Sequence, residues 1–156
     1  MMYPWLHVAA LLLYAAATAV VLVYSIPRAR AQSDPTARLA RAARAMKLYD
    51  PFSMAVLGVM VMTGAFALTG YKDALRERFF QQMGVVLAWK LGVVFILIIV
   101  AAYLAFGLGN RLVGQTELEE PPRAEWVASM LTRIQITAGL VLVLCALISW
   151  IATAML

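Results

Sequence analysis

The stretch "VVLAWKLGVVF", residues 85–95, decides the reading of this chain. It lies in an apolar run long enough to cross a membrane, broken by a single lysine, Lys90. An ammonium group in hydrocarbon costs several kcal/mol unless it finds a partner or snorkels to the interface. The fold question and the function question therefore start at the same residue.

Working outward, 64% of the 156 residues are hydrophobic and only 13% are charged. Mean hydropathy is +0.85. So few charges cannot keep the surface of a water-soluble domain wet, and an integral membrane protein follows. At about 20 apolar residues per helical crossing, four spans fit, near 3–26, 51–71, 83–108 and 134–156. Too little chain remains for a second folded domain, so residues 1–156 form one transmembrane domain. The expected fold is all-α, a membrane four-helix bundle. The first span lacks a charged n-region and is too long for a secretory signal, so it should be retained as a helix. The one cysteine, Cys145, falls within the fourth span and reads as a small core residue.

Charge sits almost entirely between the spans. Loops one and three together carry nine basic residues, against three in loop two (Lys72, Arg76 and Arg78). The positive-inside rule then places both termini on the non-cytoplasmic side of a cell (inner) membrane. The net charge of +5 thus reports orientation, and a nucleic-acid partner is not expected. The acidic residues lie in loops or at expected helix ends, which disfavours a proton-coupled transporter built on membrane carboxylates.

In "SDPTARLARAARAMKLYDPF", residues 33–52, Asp-Pro occurs twice. Asp suits a helix N-cap and Pro the first helical position. The pattern predicts a short cytoplasmic interfacial helix over 35–48 and a fresh helix from Pro51. Leu39, Ala43 and Met46 would share one side, with Arg41, Arg44 and Lys47 opposite. Anionic lipid headgroups are the expected partners of this basic loop, 28–47. The third loop, "GQTELEEPPRAEW" (residues 114–126), is acidic; Pro121-Pro122 stops a helix there, and Trp126 sits where an interfacial anchor belongs.

Depth brings the polar residues together. His7 enters with span one, and Lys90 lies seven residues past Met83, roughly 10 Å along its helix. Both fall in the outer third of the bilayer, with Thr63, Thr69, Ser149 and Trp150 at a similar height. His7, Tyr14, Thr18 and Ser25 form one stripe at helical spacing, which should face the bundle. No nucleotide-binding glycine motif, zinc spacing or nucleophilic triad occurs.

Trp5-Leu6-His7, Pro51 with Met54 and Thr63-Gly64, and Trp89-Lys90 together resemble the HemJ-type protoporphyrinogen oxidases and the related CopD-like four-helix membrane proteins. Arg111 also stands where that group tends to carry an arginine. The resemblance implies haem b or a porphyrin, with His7 as axial ligand. Lys90 and Arg111 would meet propionates or substrate carboxylates, and Tyr14 and Trp89 would pack on the macrocycle. Tyr103 stands where such proteins usually carry a further histidine, so a second axial ligand would come from Met60, Met62, Met83, a partner subunit or none. The functional expectation is a haem- or porphyrin-binding membrane protein with a redox role. A non-catalytic accessory subunit, assembled with other membrane subunits, is the alternative, and copper handling ranks third.

Overall fold

The computed structural model describes residues 3–118 and 120–153, and side chains at 3, 4, 71, 74, 75, 79, 80, 82, 83 and 153 lie outside that description. Among the described residues every regular element is helical: α1 (Tyr3–Val20), α2 (Ile26–Arg30), α3 (Pro35–Leu75), α4 (Phe79–Ala102), α5 (Asn110–Gln115) and α6 (Ala124–Thr153). A π-helical segment, Val21–Ser25, joins α1 to α2, and another, Tyr103–Gly109, joins α4 to α5. The result is four long rods, and each has a stretch long and apolar enough to cross a membrane: Trp5–Arg30, Pro35–Gly70, Gly84–Gln115 and Ala124–Ala152.

The rods alternate in direction. Thr18 bonds to Tyr49, His7 bonds to Met60, and Arg30 bonds to Thr132, which pairs early α1 with late α3 and α2 with early α6. The α1–α3 and α4–α6 contacts are the most extensive, and α1 also packs on α6. One end therefore carries the N-terminal turns of α1 and the last turns of α6, and the opposite end carries the arginine-rich loops.

Small and medium side chains fill the seams. Along α1 and into the π segment the buried stripe is Ala10, Tyr14, Thr18 and Val21, and the next buried positions are Ile26 and Ala29. The five-residue step from Val21 to Ile26 falls across the π turn, whose i→i+5 bonding inserts one extra residue into the repeat. The third rod keeps a strict four-residue repeat, Val93, Leu97, Ala101, Ala105 and Gly109. In a regular α-helix such a repeat drifts around the axis, because the turn holds only 3.6 residues. The wider π turns over 103–109 bring it back to the core.

The two Asp-Pro pairs part ways. Asp34 is an N-cap as expected: it is extended, and its carboxylate accepts from Ala37 N–H at 2.9 Å. Asp50-Pro51 caps nothing, since α3 runs unbroken through it for 41 residues. The separate interfacial helix over 35–48 is therefore corrected. Leu39, Ala42, Ala43 and Met46 are buried, and this part of α3 packs against α2 and α5. With its apolar side covered by protein, the segment is the prolonged end of a span. Pro51 removes one donor, and membrane helices tolerate that loss where neighbours and hydroxyls make it good. The acceptor that Pro51 leaves free is the Lys47 carbonyl; Ser53 Oγ, in the same turn, donates instead to the Asp50 carbonyl at 3.0 Å. Similarly, α6 starts at Ala124, ten residues before the expected span, and Trp126 in its first turn packs partly buried against the core.

Candidate functional site

His7 is half-buried on α1 and turned toward α3. Its Nδ1 lies 2.9 Å from the Met60 carbonyl and 3.2 Å from Thr63 Oγ1. A carbonyl only accepts, so Nδ1 carries the proton and donates. Thr63 Oγ1 in turn donates to the Val59 carbonyl at 2.7 Å, which leaves its lone pair toward the imidazole. The tautomer is thereby fixed with Nε2 as the lone-pair nitrogen. A carbonyl behind the other ring nitrogen is the arrangement that orients ligating histidines.

The ring fits because of Gly64. A Cβ at that position would stand 3.1 Å from His7 Cε1, closer than nearly all real contacts. The bare backbone of α3 lets the imidazole lie flush against it. Lys90, half-buried on α4, lies near enough for its charge to oppose a charge on His7. It makes no hydrogen bond or ion pair among the described residues. The two basic side chains expected to share a depth lie within electrostatic range of each other.

The other expected site residues do not join them. Tyr14 is fully buried 7 residues further along α1, roughly 10 Å away, beside Tyr49 and within electrostatic range of Cys145. Trp89 is 71% exposed and faces away from the core. With Gly84, Val85, Ala88 and Gly92 it lines an open groove of about 580 Å³ on the outer side of α4. Arg111 is exposed on α5, at the arginine-rich end. Gly109, two residues before it, meets Asp50, whereas His7 meets Met60–Gly64; the separation along α3 is roughly 15–20 Å. Met62 is 57% exposed and Met60 is buried, so Met62 points away from the imidazole, and the Met83 side chain lies outside the described residues. Thr69 and Ser149 hydroxyls are spent on the Phe66 and Cys145 carbonyls. Among the described residues no three His, Cys, Asp or Glu side chains gather.

A second polar cluster was not foreseen. Thr18 Oγ1 lies 2.9 Å from both the Tyr14 carbonyl and Tyr49 Oη, so it donates to the former and accepts from the latter. Among the described residues Asp50 Oδ1 and Tyr14 Oη are buried without a hydrogen-bond partner, Tyr14 lying beside Tyr49. Asp50 Oδ2 is pressed on the π segment: a Cβ at Gly109 would sit 2.2 Å from it. Sequence reasoning missed this cluster because it took Asp50 for a helix end. The available signal was the tyrosine before it and the Thr18 stripe opposite. No family model, curated protein or solved structure matches the chain.

Proposed function

We propose that the chain is a haem- or porphyrin-binding membrane protein with a redox-associated role, its guest held at the end where His7 and Lys90 meet. The observation that carries this reading is the His7 tautomer. Nδ1–H is committed to the Met60 carbonyl, and Nε2 is left with no partner among the described residues. Imidazole nitrogen is a common axial donor to haem iron, and a carboxylate is the natural counter-charge for a membrane lysine. The residues fit one axial imidazole and one carboxylate partner. A bound haem would supply one-electron chemistry; the chain itself supplies orientation through Met60 and Thr63, and positive charge through Lys90. In this reading the protein lies in a bacterial inner membrane with both termini on the non-cytoplasmic side.

The test is an absorption spectrum of detergent-purified protein, oxidised and reduced. The wild type is expected to show a Soret band that is lost in His7→Gly and regained on adding imidazole. A colourless wild-type preparation from a haem-replete host overturns the reading.

One observation favours a second reading, an accessory subunit of a larger membrane complex. Gly84, Ala88 and Gly92 recur every four residues along the open α4 groove, and small residues at that spacing let a further helix approach closely in lipid. Co-purification with larger subunits in mild detergent separates this reading from the first.

A further inference from the structure

The arginine-rich end holds a groove that neither reading above uses. Tyr24, Ser25 and Arg28 line one wall, and Arg41, Arg44, Ala45 and Leu48 line the other, around a volume of about 220 Å³. Positions 41, 44, 45 and 48 follow helical spacing along α3 and so form one ridge. The opposite wall is built from the π segment Val21–Ser25 and the start of α2. The extra residue of a π turn re-aims the side chains that follow it, and such turns concentrate at functional sites.

The chemistry of the walls is one-sided. Three guanidinium groups line the groove and no carboxylate does. Arg28 is held in place: its guanidinium carbon stands 3.8 Å from the Tyr24 ring centroid, and it also donates to the Tyr24 hydroxyl. Arg41 and Arg44 have no hydrogen bond or ion pair among the described residues. A fixed guanidinium flanked by two unpaired ones is a receptor for a phosphate oxyanion, because the planar fork matches two oxygens at once. The walls are also greasy. Leu48 is 73% exposed and Tyr24 52% exposed, and beside them the end of α1 and the π segment present Val20 and Val23, both largely exposed. A free anion gains nothing from these surfaces, whereas the glycerol and acyl portions of a lipid do.

We propose that this groove binds the phosphodiester headgroup of an anionic phospholipid, with Arg28, Arg41 and Arg44 around the phosphate and the acyl chains along Tyr24 and Leu48. This goes beyond a diffuse attraction of a basic loop to a charged surface, since it names a site with one occupant. It stands independently of the His7 reading.

The experiment uses the full chain in neutral detergent, incubated with phosphatidylglycerol and phosphatidylcholine together, with retained lipid counted by native mass spectrometry. The wild type is expected to retain phosphatidylglycerol over phosphatidylcholine. At about fivefold per arginine near a membrane surface, the Arg41→Gln/Arg44→Gln protein should lose roughly 25-fold in that preference. Both side chains are exposed and unpartnered, so the variant is expected to fold. The control is Lys72→Gln/Arg78→Gln, which removes two exposed charges, one in the last turn of α3 and one just after it, and should keep the preference. Equal retention by the Arg41/Arg44 variant and the wild type overturns the proposal, and so does an equal loss in the control. A third arm adds millimolar inorganic phosphate: full displacement of the lipid identifies a free-phosphate site and overturns the lipid assignment, and persistence of the lipid supports it.

Discussion

Two glycines receive polar side chains from neighbouring helices, and they do so on opposite terms. At Gly64 the guest is the His7 ring, whose donor nitrogen is fully employed while its second nitrogen stands ready. At Gly109 the guest is the Asp50 carboxyl, which has a buried oxygen with no hydrogen-bond partner among the described residues. Close approach to bare backbone is the shared device. The first notch presents a side chain, whereas the second locks one away. A buried polar atom left unsatisfied in a membrane is expensive, so the Asp50 contact has to be held by the packing around it, and its geometry should be the less forgiving of the two.

That contrast makes its largest claim at position 109. A methyl group there would fall 2.2 Å from Asp50 Oδ2, inside a seam where α3 meets the π segment and Leu108 and Leu112 are buried. Gly109→Ala should destabilise the protein by about 1–3 kcal/mol, the usual cost of overpacking, read as a lower unfolding midpoint in detergent. The cost should vanish to within about 0.5 kcal/mol in an Asp50→Ala background, because the clash is pairwise. A Gly109→Ala penalty that is the same in both backgrounds would mean that the glycine serves the π backbone alone.

A smaller effect is expected at Thr18. Its hydroxyl accepts from Tyr49 and donates to the Tyr14 carbonyl, so Thr18→Val removes the link without changing volume much and orphans a buried phenol. Interhelical hydrogen bonds in membranes average under 1 kcal/mol, and an unsatisfied hydroxyl adds to that. A loss of about 1 kcal/mol is the expected result in the same unfolding assay. If the link also holds Tyr49 and Asp50 in register, Thr18→Val should reduce the penalty of Gly109→Ala; strict additivity would show that the two clusters on α3 are independent.

How much of this was legible follows from the range over which each feature is encoded. Four apolar rods are written in hydropathy, which needs no partner to read. The inward stripe of His7, Tyr14 and Thr18 is likewise a property of one helix. Asp-Pro is ambiguous: the pair that starts α3 at Asp34 and the pair inside it at Asp50 look the same locally, and only the upstream run of good helix formers from Ala37 to Leu48 distinguishes a continuing helix from a new one. The π segments carry no local signature, and they set which residues of the third rod reach α3. Without that register Gly109 could not be matched to Asp50, and Arg111 could be drawn toward a site at the far end of the molecule. Depth alone brought His7 and Lys90 to one layer, but it could not tell that Trp89, the neighbour of Lys90, turns outward.

The smallest change in stability, and the sharpest test of the contrast, belongs to Gly64. An added Cβ would stand 3.1 Å from the edge of the imidazole, a conflict that His7, a half-buried side chain, should relieve by moving a few tenths of an ångström. Gly64→Ala should therefore cost under about 1 kcal/mol, well below Gly109→Ala. The same displacement lengthens the Nδ1 bond to Met60, which lets the ring tilt and weakens the preference for the tautomer that leaves Nε2 free. A nearly unaltered unfolding midpoint with a weakened or shifted Soret band is the expected pair of results, and Gly64→Val should enlarge the spectral effect first. Were Gly64→Ala as destabilising as Gly109→Ala and without consequence for absorption, both glycines would be packing devices of one kind, and the claim that the His7 end presents its side chain to a guest would lose its footing.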